Sequence, residues 1–341
     1  HPAALYYSSG TTGNPKGVLY SHNNMTSLIR SIVKGFKFKK KDNQLAFLPF
    51  GHTASINYNI LPSLLIGCNL FISKGFEHLR SNFFNVLEEY KITYTEVVPS
   101  VLFLLNKLKV DIRKLDLSSL EFIGCGSSTL PISAQKEFIR RYKIGIGNLY
   151  GLSETGPSHI DDPRKKNWKP GSIGVPLDVN KCKINKHGEM LIKGKNVFIG
   201  YYKNKKLYEK VVKNHWFCTG DLGKHHRGKF YFVDRKKDLI IKSGINIVPM
   251  EIEEVVHKHP NILECVVIGK TDKIHGEEIA LVAVKSGKIK NKTLREEIIR
   301  LCGQNFSSYK VPNHIEFWNS IPKTPSKKLL RRKVREIINK T

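Results

Sequence analysis

The chain has no long hydrophobic run. Its most apolar stretch, roughly Leu61 to Ile72, is broken by Pro62, Ser63, Gly67 and Asn69, well short of the about 20 apolar residues that span a bilayer as a helix. No transmembrane helix is expected. Cysteine is sparse: Cys68, Cys125, Cys182, Cys218, Cys265 and Cys302 lie far apart, with no C-x-x-C pair and no histidine at metal-ligand spacing. That excludes a disulfide-stapled scaffold and a zinc site, and a reducing cytosol is the expected compartment. Acidic residues are few, 29 Asp+Glu against 57 Lys+Arg for a net charge of +28. Such a charge attracts polyanions without choosing one. The basic residues are spread along the chain and no RNP-type aromatic signature, zinc finger or basic zipper occurs, so no specific nucleic-acid role is read. No methionine and no charged leader precede Ala3-Ala4-Leu5-Tyr6-Tyr7, which reads as a core strand, and a missing N-terminal portion is the expectation. Internal repeats and low-complexity tracts are absent.

What is present is enough chain, 341 residues, for two domains. From Ala3 to about Leu149, strand-like runs alternate with amphipathic stretches, as in Thr93–Val98, Val101–Leu108, Leu120–Ile123 and Ile132–Ile139. This alternation predicts α/β layers around a largely parallel sheet. Between about Gly171 and Val233 short strands broken by glycine predict a small antiparallel or barrel-like subdomain. The charged run Asp234-Arg235-Lys236-Lys237-Asp238 marks the boundary. Beyond it, helix Met250–His257, strands Leu263–Ile268 and Ile279–Val284, helix Leu294–Cys302, strand His314–Phe317 and a basic helix from about Leu329 predict a small α+β domain. The fold class is therefore α/β, with a large domain over residues 1–235 and a small C-terminal one over 236–341.

The densest chemistry follows the first strand. Ser8-Ser9-Gly10-Thr11-Thr12-Gly13-Asn14-Pro15-Lys16-Gly17 spaces glycines, whose backbone N–H groups can approach phosphate oxygens, among hydroxyl donors and one lysine. It is not the Walker pattern, because Lys16 precedes Gly17. Gly145-Ile146-Gly147 misses the G-x-G-x-x-G spacing of a dinucleotide turn. The pairs His225-His226 and His257/His259 lack a cysteine partner at ligand spacing, and no metal is expected there.

Together with segments further along, this loop resembles the superfamily of acyl-CoA synthetases, luciferases and peptide-synthetase adenylation domains. The segments occur in that family's order: Leu48-Pro49-Phe50-Gly51-His52, Gly124-Cys125-Gly126-Ser127-Ser128, Tyr150-Gly151-Leu152-Ser153-Glu154-Thr155, Pro170-Gly171-Ser172-Ile173-Gly174, Trp216 to Asp221, Asp234 to Asp238 leading to Ser243-Gly244-Ile245-Asn246-Ile247, and Pro322-Lys323-Thr324-Pro325-Ser326-Lys327-Lys328. The resemblance covers essentially the whole chain and is closest to the acyl-CoA synthetases.

It implies roles for particular residues. Ser8, Ser9, Gly10, Thr11, Thr12, Gly13 and Lys16 would hold the phosphates of ATP. Glu154 would bind a bridging Mg2+, a hard cation that needs carboxylate oxygen, with Ser153 standing where the family usually has threonine. Gly126, Ser127, Ser128, Tyr150 and Gly151 would line the adenine and acyl pocket, although a glycine bend after a strand can be purely structural. Asp221 would accept hydrogen bonds from the ribose, with Arg235 near the ribose or phosphates. Where amino-acid-activating relatives carry an aspartate for the substrate ammonium, this chain has His52, which argues against an amino-acid substrate. Lys328 would be the catalytic lysine, stabilising charge on the reacting phosphorus, but Lys327 replaces the usual preceding glycine. A plainer reading makes Lys327, Lys328, Arg331, Arg332, Lys333 and Arg335 the exposed face of a basic helix. Lys237 would be the hinge of a domain alternation that presents either Lys328 or the Ser243-Gly244 loop on the coenzyme A side.

The implied activity is ATP-dependent activation of a carboxylic acid, a fatty or related acid, to an acyl-adenylate, followed by thioester formation with coenzyme A. Two alternatives stand beside it: transfer to a carrier protein, and a truncated nucleotide-binding protein without turnover.

Overall fold

The computed structural model describes residues 1–8, 15–51, 53–323 and 329–340, the side chain of Ser8 excepted. The chain forms two compact units, one of residues 1–130 with 135–232, the other of 131–134 with 233–341. Among the described residues no helix is long and apolar enough to cross a membrane.

The first unit opens with β1 (Pro2–Ser8) and β2 (Lys16–Ser21), antiparallel neighbours whose register runs from Pro2↔Ser21 to Ser8↔Lys16. The glycine-rich loop therefore joins the two arms of a hairpin, unlike the strand-to-helix setting of a Walker loop. Here the structure corrects the sequence reading. β1 is no core strand: it is the edge of a separate three-stranded antiparallel sheet, with Tyr7 65% and Leu5 38% exposed. Its apolar residues suit a strand, but it has one hydrogen-bonded neighbour and lies outside the parallel sheet.

Helix α1 (His22–Phe36) starts where Ser21 and Asn24 close a capping box, Ser21 Oγ accepting from Asn24 N at 3.1 Å and Asn24 Oδ1 from Ser21 N at 2.9 Å. Such a cap contributes about 1 kcal/mol. Leu28, Ile29, Ile32 and Phe36, spaced for one helical face, are buried. They pack with Tyr58, Tyr94 and Phe122 against a parallel sheet in the order β4 (Asn69–Ile72), β3 (Asn43–Ala46), β5 (Tyr94–Val97), β6 (Phe122–Cys125), β7 (Ile146–Asn148). Every residue of β5 and β6 is buried, because a parallel sheet is covered on both faces and its strands do not alternate.

β8 (Tyr150–Leu152), β9 (Gly156–Ile160) and β10 (Val175–Pro176) form a small antiparallel sheet. β11 (Asn180–Ile184), β12 (Glu189–Gly194), β14 (Val212–Lys213), β15 (Trp216–His226) and β16 (Lys229–Arg235) form another, while β13 (Gly200–Tyr201) joins β2.

In the second unit β17 (Ile240–Lys242) and β18 (Ile245–Ile247) precede α2 (Pro249–Val256). The long hairpin β19 (Ile262–Asp272) and β20 (Gly276–Lys285) follows, then α3 (Asn291–Asn305), β21 (His314–Phe317) and α4 (Arg331–Ile338). The two faces of the hairpin bury different sets: Val267, Ile279 and Leu281 lie against α2 and α3, and Val266, Ala280 and Val282 against Val334 and Ile338 of α4. That is the period-two alternation of a covered strand pair.

Candidate nucleotide site

The first unit builds its site around Glu154. Its backbone is placed at long range: Asn24, held by the capping box, donates from Nδ2 to Lys195 O at 2.7 Å and Val197 O at 3.1 Å. The next residue in that segment, Phe198, donates from its N–H to Glu154 O at 2.9 Å. The turn before Glu154 is fixed from the opposite side, where the buried Tyr20 hydroxyl donates to Ser153 O at 2.8 Å.

The side chain is oriented by Tyr201, whose hydroxyl donates to Glu154 Oε1 at 2.8 Å. Burial and then the Glu154 charge push the Tyr201 phenol above its ordinary range, so it remains a donor. Lys16 Nζ stands 5.8 Å from the Tyr201 ring centroid. Backbone pairing sets this neighbourhood, because β13 runs beside β2 with Tyr201 opposite Val18, and Tyr202 N donates to Gly17 O at 2.7 Å. A carboxylate and an ammonium thus share one tyrosine at the foot of the glycine-rich loop. Removing the Tyr201 hydroxyl should leave Glu154 less well oriented. Tyr201→Phe is expected to lower the unfolding free energy by about 1.5–3 kcal/mol, the worth of one hydrogen bond to a charged group, read by urea unfolding.

Asp221 on β15 is buried and accepts a hydrogen bond from the Tyr150 hydroxyl at 2.8 Å, while its own N–H reaches Thr219 Oγ1 at 3.0 Å. These two predicted residues, 71 positions apart, are in direct contact. His159 packs edge-on against Tyr150 at 5.3 Å and against Phe230 at 5.2 Å. Burial pushes it down to about 3, so it stays neutral and is no proton donor at physiological pH. Gly126 and Gly151 serve close chain crossings: a Cβ on Gly126 would meet Leu149 Cβ at 2.8 Å, and one on Gly151 would meet Gly156 O at 2.2 Å. Ser127 holds a left-handed backbone at φ 69 and Ser128 follows half-buried.

Ser9, Gly10, Thr11, Thr12, Gly13, His52 and Lys328 lie outside the described residues. Arg235, Lys237, Ser243 and Gly244 belong to the second unit. Lys237 is exposed in the short 3-10 turn Lys236–Asp238. Ser243 (φ 49) and Gly244 (φ 78) turn the chain between β17 and β18, with Ser243 N donating to His275 O at 2.8 Å and Ser243 Oγ 2.9 Å from His275 Nδ1. Nearby, Asp272, His275 and Glu278 cluster at ligand-like spacing. Asp272 Oδ1 already accepts the N–H groups of Ile274 and His275, and Glu278 pairs with Lys242 at 2.6 Å.

The sequence profile of the AMP-binding enzymes matches residues 1–202, and that of the AMP-binding enzyme C-terminal domain matches residues 251–328. The chain belongs to the AMP-binding enzyme family. Among the relatives of this AMP-binding enzyme, the long-chain-fatty-acid–CoA ligase of Bacillus subtilis is 34% identical over 98% of the chain. The indoleacetate–CoA ligase of Aromatoleum aromaticum is 31% identical over 99% of the chain. The chain spans 61% of the length of the first and 67% of the second. Among solved structures, MatB from Rhodopseudomonas palustris superposes with a TM-score of 0.91 at 24% identity, over 99% of this chain and 68% of that one, which establishes the fold. The o-succinylbenzoate CoA synthetase of Bacillus subtilis, solved with its acyl-adenylate, gives a TM-score of 0.85 at 28% identity, over 97% of this chain and 68% of that one.

Glu154 and Asp221 could be found from their segments, but Tyr201 and Asn24 could not. Each acts across more than 40 residues on a partner that no local pattern names.

Proposed function

We propose that this AMP-binding enzyme is a carboxylate–CoA ligase. The reading rests on Glu154, oriented by Tyr201 beside Lys16, which directly follows a hydroxyl- and glycine-rich sequence; relatives named as CoA ligases over nearly the whole chain support it. ATP would lie with its phosphates along the loop and its ribose toward Asp221. Mg2+ would be held by Glu154; a lone carboxylate suffices where phosphate oxygens and water complete the shell, and the bound ion would neutralise phosphate charge.

In the first step a carboxylate oxygen of the acid forms a bond to the α-phosphorus, and the bond to the bridging oxygen breaks, releasing pyrophosphate. In the second the thiol of coenzyme A attacks the acyl carbonyl and AMP leaves with the former carboxylate oxygen. Neither step needs a covalent enzyme intermediate, so the protein supplies position and electrostatics. Lys328 would face the reacting phosphorus in the first step, and the Ser243-Gly244 turn would serve the second after rotation at Lys237.

Acid-dependent exchange of labelled pyrophosphate into ATP, followed by coenzyme A-dependent thioester formation, tests the reading. Exchange with a carboxylic acid and thioester from free coenzyme A are the expected results. No exchange across short, long and aromatic acids would overturn it, and exchange with thioester formed only on a carrier protein would overturn the acceptor.

A further inference from the structure

Within the first unit, β3, β5 and the π-helical turn Ile56–Ile60 carry buried polar atoms that have no hydrogen-bond partner among the described residues. Glu96 is 1% exposed, and neither of its carboxylate oxygens has a hydrogen-bond partner among the described residues. Tyr94 stands two residues earlier on the same strand face, and its hydroxyl is unpartnered too. Gln44 of β3, opposite Tyr94 in register, leaves Nε2 unpaired, and Asn57 in the π-helical turn leaves Oδ1 unpaired. Buried polar atoms are almost always satisfied, and apolar residues of the same shape would be cheaper here. Stability therefore does not account for this set.

Its position does. In open α/β sheets ligands bind beyond the carboxyl ends of the parallel strands, and Glu96 is the penultimate residue of β5. Opposite it in register is Gly124, and Gly126 N donates to Val97 O at 3.2 Å. The Gly126-Ser127-Ser128 segment thus leaves the sheet beside Glu96. On the other side, the Asn57 amide nitrogen lies 3.4 Å from where a Cβ on Gly156 would stand, two residues after Glu154. An extra residue per turn, as in this π-helical segment, recurs at functional sites. Burial pushes the Glu96 carboxyl up to about 8, so at neutral pH it keeps its proton and both donates and accepts.

We propose that Glu96, with Asn57, reads a hydroxyl on the acid substrate, so that the enzyme activates a hydroxy-substituted carboxylic acid in preference to the unsubstituted acid of the same carbon skeleton. The proposal rests on the acid-activating reading above and narrows it. A hydroxyl donates to Asn57 Oδ1 while accepting from the protonated carboxyl, which a plain alkyl chain cannot do. A site built to hydrogen-bond a hydroxyl can reject the analogue lacking it by about 10⁴-fold, whereas an apolar pocket discriminates by only about 10²-fold.

The test is pyrophosphate exchange by wild type, Glu96→Leu, Glu96→Gln and Asn57→Leu on matched pairs of hydroxylated and plain acids, straight-chain and aryl, with the thermal shift given by each acid as a second readout. Wild type should favour the hydroxylated member by at least about 10²-fold in kcat/KM; Glu96→Leu should cut that ratio at least tenfold through a gain on the plain acid, and Glu96→Gln should keep part of it. Without its unpaired buried carboxyl, Glu96→Leu should melt no lower than wild type, so a changed ratio is not unfolding. A ratio unmoved in Glu96→Leu and Asn57→Leu, or a wild type that prefers plain acids, overturns the proposal. No exchange with any acid overturns the acid-activating reading instead. In that case stabilisation of wild type but not Glu96→Leu by hydroxy acids sustains the site, and no differential shift overturns it.

Discussion

Replacing Lys328 by alanine should lower acid-dependent pyrophosphate exchange by about 10²–10³-fold, the usual cost of removing a group aimed at transition-state charge, while ATP binding changes little. The residues that flank the segment are fixed within the second unit. Lys323 and Leu329 form an isolated antiparallel bridge, and Leu330 N donates to Pro322 O at 2.9 Å. Lys323 is paired with Glu264 at 2.5 Å, and α4 begins at Arg331. Lys323 and Leu329, on either side of residues 324–328, are thus tied to the second unit. Lys327→Gly, which restores the residue usual in the family, should retain exchange. The two variants are compared by exchange rate and by the thermal shift with ATP; loss in a Lys327→Ala variant with none in Lys328→Ala would assign the role to Lys327.

Glu253→Ala should cost about 3 kcal/mol of unfolding free energy, the lower end for a broken buried pair, because it leaves the partly buried Arg331 cation without its carboxylate. Arg331 donates from both guanidinium nitrogens, to Glu253 Oε1 at 2.5 Å and Oε2 at 2.6 Å, and also to Val267 O at 2.8 Å, while Val267 N donates to Glu253 Oε1 at 2.7 Å. Burial alone would depress the Arg331 guanidinium, but the charge and hydrogen bonds of Glu253 hold it above its ordinary range. The same neighbourhood includes Asp234, raised to about 6 by burial against the opposing pull of Arg331, with its carboxylate accepting from Arg235 N and Met250 N. Exposed pairs such as Lys205–Glu209 and Arg332–Glu336 should contribute no more than about 0.5 kcal/mol each. Urea unfolding at constant m-value measures the difference, and a Glu253→Ala loss as small as that of Glu209→Ala would contradict the argument. Since the Arg331 clamp stands three residues beyond Lys328, its failure should also reduce exchange.

Most elements of the second unit were legible, although β17 and β18 were not. Leu263–Ile268 and Ile279–Val284 fall inside β19 and β20, and Leu294–Cys302 inside α3, since short apolar runs rich in valine and isoleucine and a half-buried helix stand out in the sequence. Ala3–Tyr7 misled because strand propensity does not say whether a strand lies at an edge. Pairing and order are long-range facts: β13 reaches β2 across about 180 residues of chain. The chemical residues divide in the same way. Glu154 and Asp221 sit in recognisable segments, whereas the tyrosines that hold them, Tyr201 and Tyr150, are chosen by folding. Glu96 does carry a local signal, an acid inside the β-branched and aromatic run Thr93–Val98.

Ser127 carries a side chain through a backbone conformation, φ 69, that glycine adopts freely and other L-residues adopt at a cost of about 1–2 kcal/mol. A turn held in that state by the folded protein has little conformational freedom left for a ligand to remove. Binding there should be opposed by less ordering entropy than at a floppy loop of the same length, and Ser127→Gly, although easier on the backbone, would return that entropy to the unbound state.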